Sequence, residues 1–279
     1  MDGERAAEAV LPDDVYAALG DVKKRISSLI SKKRPTLFPA AAHLVKNGGK
    51  LVRPSLVLLS CAALGGDPKK AEPAAAAVEM IHVASLIQDD LMDGDRERRG
   101  VEAVHTLYGT NEAILASDLL IQLAVSEANL LGKRVVAELA RAAKLLAQGQ
   151  DLDLKYRRRK ISAASYLRVA RLKTGVLMGC CMAEGAIVAG ADLRTVRAMR
   201  LAGELFGVAF QMHDDSLDWE AGERAASNAV AVFGGEEGVR LAKEEFMEKA
   251  EAALSSARPS FPFKQLFRAS LVGIATRGS

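Results

Sequence analysis

Apolar residues recur every three or four positions along most of the chain, and stretches that alternate between apolar and polar residues are hard to find. The first spacing places apolar side chains along one face of an α-helix, whereas alternation would indicate a β-strand. Glycine-rich breaks near 47–49, 65–68, 94–100 and 234–235 separate the periodic stretches. The pattern predicts an all-α protein with helices over 14–32, 36–47, 54–64, 70–93, 102–107, 111–131, 133–149, 163–189, 192–218 and 236–256.

Two of the predicted helices are apolar around almost their whole circumference. They cover 71–91 and 173–189 and are rich in alanine. A helix without a polar face is stable in water only when other helices surround it, so both should lie at the centre of a bundle. Neither an internal repeat nor a linker long enough to divide domains is evident, and residues 1–279 are therefore predicted to form a single domain.

The composition is that of a globular protein and limits the classes of partner. Hydrophobic residues make up 49% of the 279 residues and charged residues 26%, which excludes disorder over the whole chain. The formal net charge of +3 is too small to indicate nucleic-acid binding. No apolar stretch approaches the ~20 residues needed to cross a bilayer, and no secretory signal is recognisable, so we expect no integral membrane segment. Cys61, Cys180 and Cys181 lack metal-ligand spacing and predict reduced thiols in a cytoplasmic protein.

Carboxylates are concentrated at the ends of two predicted helices. Residues 89–93 read DDLMD and residues 214–218 read DDSLD, so the same spacing occurs twice. Asp89 and Asp93 are four residues apart and face the same side of a helix, where they repel each other and the negative end of the helix dipole. A bound divalent cation would reverse both penalties. One such cluster could simply mark the point where a helix leaves the core, but a matched pair at the ends of apolar helices favours metal binding.

Basic residues near the acidic clusters indicate which ligand the metal would share. Carboxylate oxygens prefer hard ions, and Mg²⁺ usually keeps part of its coordination shell for water and substrate phosphates. Lys50 and Arg53 lie three residues apart at the start of a predicted helix, where both can reach one anion, and Arg98 and Arg99 follow the first cluster. Lys173 begins the second alanine-rich helix, although a lone lysine there usually only reaches solvent. The sequence therefore predicts a diphosphate bridged by Mg²⁺.

Five segments, taken together, resemble the trans-isoprenyl diphosphate synthases of the geranylgeranyl and polyprenyl type, which join prenyl units head to tail. The segments are GGKLVRP (48–54), EMIHVASLIQDDLMDGDRERRG (79–100), GQDLDL (149–154), KTG (173–175) and FQMHDDSLD (210–218). The resemblance implies an isoprenoid-synthase-type helical bundle around a deep central cavity, usually a homodimer. It also implies an Mg²⁺-dependent prenyltransferase whose substrates are isopentenyl diphosphate and an allylic prenyl diphosphate.

The resemblance assigns roles to the residues at its motif positions. Three aspartates match the Mg²⁺ ligands: Asp89, Asp93 and Asp214. The other aspartates of the two clusters match supporting positions: Asp90, Asp215 and Asp218. Two basic residues match direct contacts to the allylic diphosphate: Arg98 and Lys173. Four residues match the isopentenyl diphosphate site: Lys50, Arg53, His82 and Arg99.

The implied chemistry begins with ionisation of the allylic C–O bond, since metal ions and cationic side chains stabilise the departing diphosphate. The isopentenyl double bond then attacks the allylic cation, and the departing diphosphate is thought to take the released proton. Thr174 and Gln211 match positions near the reacting carbons, and Gln150 matches a substrate-binding position. Without the resemblance, His82 on an apolar helix would be interpreted as a hydrogen-bonded core histidine.

Product length is predicted from side-chain size before the first acidic cluster. Ser85 and Ala84 lie four and five residues before Asp89, about one helical turn along the path of a growing prenyl tail. In the resembling enzymes, bulky aromatic residues at these positions close the cavity early. The small side chains here predict a product of C20 or longer, with Ile81 contributing to the floor of the cavity.

The chain departs from the family after the second acidic cluster. Residues 219–279 are predicted to form a shortened C-terminal part, after an N-terminal helix within 1–35 and the central motifs. No lysine between Lys173 and Lys243 matches the family's third diphosphate lysine, for which Arg224 is a candidate substitute. The shortening leaves open a non-catalytic or regulatory subunit of a heteromeric synthase.

Two further alternatives concern the type of reaction and the end of the chain. A terpene cyclase would share the metal chemistry, but it would have no use for an isopentenyl diphosphate site. The basic and apolar tail over 258–279 is expected to pack as a final helix, with a cover over the site or a membrane contact as the alternatives.

Overall fold

The computed structural model describes residues 11–31, 37–47, 49, 51–157, 159–222 and 224–257. These residues form helices joined by short connections, which confirms the all-α prediction. The first six helices are α1 (Asp13–Ile30), α2 (Leu37–Lys46), α3 (Val52–Ala63), α4 (Glu72–Asp93), α5 (Val104–Tyr108) and α6 (Thr110–Asn129). The next six are α7 (Lys133–Tyr156), α8 (Ala163–Ala170), α9 (Val176–Val188), α10 (Leu193–Glu220), α11 (Ala229–Val232) and α12 (Glu236–Ala257).

The two alanine-rich helices lie at the centre of the bundle, as their uniform hydrophobicity predicts. Every residue of 176–186 in α9 is buried, and α4 is buried continuously over 74–81. α9 contacts α3, α4, α7 and α10, while α4 packs mainly against α6, α3 and α1. Asp89 near the end of α4 and Asp214 near the end of α10 line one cavity, so the two acidic clusters lie at the same end of the bundle core.

Glycines bring the backbones of α9 and α10 into direct contact. A Cβ atom built on Gly203 would lie 2.6 Å from the Met178 carbonyl oxygen and 2.7 Å from the Gly179 Cα atom. One turn further along, a Cβ atom on Gly207 would lie 2.5 Å from the Gly175 Cα atom. Because side chains do not separate the two helices there, α9 holds α10 at a fixed rotation and fixes the direction of its acidic end.

The structure differs from the predicted elements at several points, one of which is the short helix α11, for which no helix was predicted. Helix α7 continues to Tyr156 instead of ending at 149, because Leu152 still packs on the core and Lys155 pairs with Asp151 across one turn at 2.6 Å. A two-stranded hairpin, β1 (Glu97–Arg98) and β2 (Val101–Glu102), follows α4. The predicted helix over 163–189 contains one turn of π-helix, Arg171–Gly175, between α8 and α9.

Some expectations remain outside the structural description. Lys50, residues 1–10 and the tail over 258–279 are not among the described residues. The single-domain assignment of 1–279 also remains a prediction. Among the described residues, no helix has both the length and the apolar character required to cross a membrane. All three cysteines are buried and free.

Candidate functional site

The first acidic cluster separates one buried carboxylate from two that face open space. Helix α4 ends at Gly94, whose positive φ of 71° favours glycine and whose N–H group donates to the Asp90 carbonyl. The Asp90 side chain is fully buried and accepts a hydrogen bond of 2.6 Å from Nε of Arg98. Asp89 and Asp93 lie on another face of α4 and remain partly accessible. The pair predicted to bind a cation therefore lines cavities, whereas Asp90 binds an arginine inside the protein.

Two cations bridge the carboxylates of α4 and α7. The Lys173 ammonium lies 2.7 Å from Asp153 Oδ2 and 3.6 Å from Asp89 Oδ2. Arg157 Nη2 lies 2.5 Å from Asp93 Oδ1 and 4.0 Å from Asp153 Oδ2. Burial raises the pKa of Asp89, and Lys173 opposes that shift. Burial also disfavours the Lys173 charge, but the carboxylates of Asp89 and Asp153 outweigh it and raise the lysine pKa.

The second acidic cluster is held against the segment that follows α10. Asp215 Oδ1 accepts from Gln211 Nε2 at 2.8 Å, and Oδ2 accepts from the Ala229 backbone N–H at 2.8 Å. The Asn228 side chain donates to the Asp215 carbonyl at 2.7 Å. Asp215 therefore fixes the connection into α11, and all three aspartates of the cluster line cavities: Asp214 the one described next, and Asp215 and Asp218 its neighbour.

Two cavities lie between the acidic helix ends. A cavity of about 480 Å³ is lined by Asp89 from the first cluster and Asp214 from the second, together with Arg98, Lys173 and Gln150. A neighbouring cavity of about 320 Å³ is lined by aspartates of both clusters, by an aspartate of α7 and by two cations: Asp93, Asp215, Asp218, Asp153, Lys173 and Arg157. The structure thus brings the two clusters together across shared space.

The larger cavity continues along small and apolar residues of α4, α6 and α7. Its lining includes the three residues predicted to set product length: Ile81, Ala84 and Ser85. Ile121 of α6 and Leu146 of α7 line the same space. The cavity therefore joins a charged end, built from aspartates and cations, to an apolar part in which a hydrocarbon chain can be buried.

The hairpin after α4 directs two adjacent arginines to different places. Arg99 and Gly100 have φ values of 55° and 75°, as a two-residue hairpin turn with both central residues left-handed requires. Arg98 turns back onto Asp90, while Arg99 reaches the Leu44 carbonyl at 3.4 Å. The strand pairing therefore explains how neighbouring residues serve separate cavities.

Arg99 lines a third cavity of about 560 Å³, together with Gly49, Arg53, Glu79 and His82. Arg53 Nη1 lies 3.1 Å from His82 Nε2. A guanidinium can only donate, so this contact makes Nε2 the acceptor and places the imidazole proton on Nδ1. Burial and the charges of Arg53 and Arg99 lower the pKa of His82 well below its usual value, so the ring is neutral at pH 7.

This third cavity brings two arginines together with two carboxylates. Arg53 is half-buried, its Nε has no hydrogen-bond partner among the described residues, and desolvation lowers its pKa. Glu79 is buried, and burial raises its pKa. Two arginines and a neutral histidine thus share this cavity with Glu79, whose ionisation is disfavoured by burial, and with Asp214, and the two guanidinium groups favour an anionic ligand.

The turn of π-helix positions Lys173 and Thr174. A Cβ atom on Gly149 of α7 would lie 2.6 Å from the Lys173 backbone nitrogen, so this glycine permits close contact between α7 and the turn. The Thr174 hydroxyl donates to Gln211 Oε1 at 2.6 Å. An extra residue in a helical turn redirects the side chains around it and is common at functional sites. Here Lys173 points to the acidic residues, and Thr174 points to α10.

The donor set fits a hard divalent cation that shares its ligands with a substrate. Among the described residues, no group of three or more His, Cys, Asp or Glu side chains is close enough to hold an ion by itself. The carboxylates of Asp89 and Asp93 on one helix and Asp214 on another offer oxygen donors only. A cation bound there would complete its shell with water or substrate oxygens, which is how Mg²⁺ usually binds.

The structure brings most of the predicted site residues to shared cavities, but several of the residues that contact them were not predicted. Asp153 lies in the last turn of α7, and Arg157 directly follows that helix. No helix was predicted for this stretch. Glu79 lay within a quoted motif without being singled out. Arg224, the candidate substitute for a missing lysine, instead lies over the Trp219 ring, 4.5 Å from its centre, and does not line the described cavities between the clusters.

Comparisons with known proteins agree with the family that the sequence motifs resemble. Residues 34–230 fit the sequence profile of a family described as polyprenyl synthetase. A geranylgeranyl pyrophosphate synthase of Geoglobus acetivorans is 41% identical over 207 residues, covering 71% of this chain and 64% of that protein. A short chain isoprenyl diphosphate synthase of Methanothermobacter thermautotrophicus is 39% identical over 222 residues, covering 77% of this chain and 68% of that protein. The matches therefore span about two thirds of these relatives.

The fold has solved counterparts. The crystal structure of a decaprenyl diphosphate synthase from Rhodobacter capsulatus superposes with a TM-score of 0.84 and 26% sequence identity, covering 99% of both chains. A structure described as a geranyltranstransferase from Thermotoga maritima gives a TM-score of 0.81 at 30% identity, over 95% of this chain and 99% of that chain.

Proposed function

The chain belongs to the polyprenyl synthetase family, and on that premise we propose that it condenses isopentenyl diphosphate head to tail with an allylic diphosphate. One observation carries the proposal. The acid-lined cavity of about 480 Å³ and the arginine-lined cavity of about 560 Å³ share Arg53, His82 and Asp214. Two anionic substrates bound in these cavities would therefore lie side by side.

Each cavity suits one of the two substrates. The allylic diphosphate binds at the charged end of the larger cavity, where Arg98 and Lys173 provide cations. Isopentenyl diphosphate binds against Arg53 and Arg99, with His82 holding the Arg53 guanidinium. Lys50 completes this second site in our proposal, although it lies outside the described residues.

The reaction uses charge to promote departure of the allylic diphosphate. Bound Mg²⁺ supplies positive charge that neutralises this leaving group, and Asp89, Asp93 and Asp214 would hold it. Lys173 and Arg98 add cationic donors to the same oxygens. The allylic C–O bond breaks and its electron pair leaves with the diphosphate. The isopentenyl double bond then forms the new C–C bond.

The proton lost in the last step goes to the departing diphosphate, so no protein base is needed. Thr174 and Gln211 form a hydrogen-bonded pair beside the larger cavity, where they orient the reacting carbons. Gln150 lines the same cavity with a buried amide nitrogen that has no partner among the described residues. This amide is available to donate to a bound diphosphate.

The product is all-trans and C20 or longer. The apolar part of the larger cavity is bordered by the small residues Ala84 and Ser85, so no bulky side chain on this face of α4 stops the growing chain. The named relatives include a geranylgeranyl pyrophosphate synthase and a decaprenyl diphosphate synthase. The alternative of a non-catalytic subunit receives no support from these comparisons, since these relatives are named as synthases.

We also propose that two copies of the chain form a homodimer. Large apolar side chains on α6 are exposed, among them Ile114, Leu115 and Val125. Such side chains on one helix favour contact with a second protein surface.

The test is elongation by the purified chain alone. Isopentenyl diphosphate and Mg²⁺ are incubated with dimethylallyl, geranyl, farnesyl or geranylgeranyl diphosphate, and the dephosphorylated products are separated by chain length. We expect elongated products, and a loss of about 10²–10³-fold or more in the Asp89→Ala variant, because one stabilising group of the leaving diphosphate is removed.

The matched control is Asp21→Ala, which removes a carboxylate of α1 that is 43% exposed and pairs with Lys24, and this variant should retain wild-type activity. Absence of product with every primer from a folded wild-type chain would contradict the synthase function and revive the subunit alternative. Undiminished product from Asp89→Ala would contradict the assigned role of the first acidic cluster.

A further inference from the structure

Arg157 is a cation of the acidic site that no motif predicts. It directly follows α7, one helical turn after Asp153, and its Nη2 atom lies 2.5 Å from Asp93 Oδ1. The side chains of Arg157 and Asp93 are 34% and 24% exposed. A surface ion pair of this exposure contributes little to folding, so stability alone does not explain its position.

The contact competes with the proposed use of Asp93. The Asp93 carboxylate faces the same side of α4 as Asp89, and both are proposed to hold a divalent cation. A guanidinium at 2.5 Å occupies one of the two Asp93 oxygens. A dication on the same carboxylate would repel Arg157 within a few ångströms, because like charges that share one counter-ion oppose each other. Binding of the cation therefore requires Arg157 to move.

The surrounding charges determine where Arg157 can go. Its alternative carboxylate, Asp153, lies 4.0 Å away but already accepts a hydrogen bond of 2.7 Å from Lys173. The oxygens of Asp215 are occupied by Gln211 and the Ala229 backbone. Arg157 and Lys173 are the cationic side chains among the described residues that line the cavity of about 320 Å³. A diphosphate that extends into this cavity would meet these two cations.

We propose that Arg157 is a further diphosphate-binding residue of this chain, which neutralises Asp93 while the site is empty and transfers to the substrate diphosphate when a divalent cation binds Asp93. The inference rests on the proposed function. A guanidinium suits this exchange, since its planar fork can form two parallel hydrogen bonds to either a carboxylate or a phosphate. Arg157 would thereby supply the additional diphosphate-binding cation for which Arg224 was the candidate from the sequence.

The exchange predicts effects of opposite sign on two ligands. In Arg157→Gln, we expect inorganic diphosphate to bind about tenfold more weakly in saturating Mg²⁺, because a charge-assisted contact is lost. We expect Mn²⁺ alone to bind severalfold more tightly to the same variant, because the competing cation on Asp93 has gone. Calorimetry measures the diphosphate, and the electron paramagnetic resonance signal of free Mn²⁺ measures the metal.

Two further variants make the test specific. Arg159→Gln removes an exposed cation two residues further along and should leave both affinities unchanged. Arg157→Lys keeps the charge without the fork and should recover part of the diphosphate affinity. Circular dichroism and thermal unfolding establish that each variant is folded.

The proposal requires both changes, so an unchanged diphosphate affinity or an unchanged or weaker Mn²⁺ affinity in Arg157→Gln overturns it. A parallel loss of both affinities would indicate a merely structural role. Neither measurement depends on turnover, whereas the elongation assay of the wild-type chain tests the synthase function. Failure of the proposed function and failure of the Arg157 exchange are therefore distinguishable.

Discussion

Glu184 lies in the middle of α9 with none of its surface exposed to solvent. Cys180 Sγ lies 3.5 Å from its Oε1 atom, and Oε2 has no hydrogen-bond partner among the described residues. Burial raises the pKa of Glu184 well above its ordinary value of 4.5, so the folded protein keeps this carboxyl protonated where the unfolded chain releases the proton. The folded state therefore loses stability as the pH rises above about 4.5, by about 1.4 kcal/mol per pH unit up to the folded pKa.

Glu184→Gln mimics the protonated side chain and removes this pH dependence. We expect the variant to unfold at nearly the same denaturant concentration as the wild type at pH 4, and at a clearly higher concentration at pH 8. The matched control is Glu248→Gln on the exposed face of α12, which should follow the wild type at both pH values. A difference between Glu184→Gln and wild type that is independent of pH would show that Glu184 is not held neutral.

At the same scale, residue types and spacing were sufficient to select the charged residues but insufficient to assign their partners. The equal spacing of the two acidic clusters predicted that both matter, because the spacing of four is a local property of a helix. That Asp90 turns inward to Arg98, while Asp93 pairs with Arg157, depends on the hairpin and on the end of α7. These contacts join residues from elements whose approach no local pattern encodes.

At the scale of elements, the packing of α9 against α10 depends on the absence of side chains. A Cβ atom on Gly203 would meet main-chain atoms of Met178 and Gly179 at 2.6 Å and 2.7 Å, and backbone cannot move aside as a flexible side chain can. We expect Gly203→Ala to cost about 3 kcal/mol in overpacking, offset by the gain of about 1 kcal/mol in helix propensity. The net loss of about 2 kcal/mol is measured by chemical unfolding.

Gly20 provides the control with the opposite sign. It lies inside α1, and a Cβ atom there would have no neighbour within 4 Å. Gly20→Ala should therefore stabilise the protein by about 0.5–1 kcal/mol through helix propensity alone. If both substitutions change stability in the same direction, the close contact between α9 and α10 does not limit packing as described.

Apart from the four-residue helix α11, the helices were predictable because each buries a continuous apolar face, and this local pattern also predicted the central positions of α4 and α9. Three features were not predictable in this way. The last turns of α7 carry mostly polar residues, the π-helical turn depends on contacts of Gly149 and Gly175 with other helices, and the hairpin contains only two residues per strand. In each case the conformation depends on neighbours distant in the sequence.

At the scale of the whole molecule, the bundle connects a charged end to an apolar interior. The cavity of about 480 Å³ is continuous from Asp89 and Lys173 to Ser85 and Ile121, and residues of several helices form its wall. The sequence placed the charged and apolar residues on their helices, but it did not show that α6 and α7 complete the apolar wall. The depth of this shared cavity is therefore a property of the assembled helices, and product length should depend on it.

Ser85→Phe tests this dependence directly. Ser85 is only partly buried and lines the cavity, so a phenyl ring there occupies space that the prenyl tail would use. We expect products shorter than those of the wild type, while the first condensation persists because the side chains that bind the diphosphates are unchanged. Ser85→Ala is the matched control: it removes the hydroxyl that donates to the His82 carbonyl at 2.8 Å and leaves the space open, so product length should remain that of the wild type. Chromatography of dephosphorylated products measures the lengths. Products of wild-type length from Ser85→Phe would place the growing chain elsewhere in the bundle.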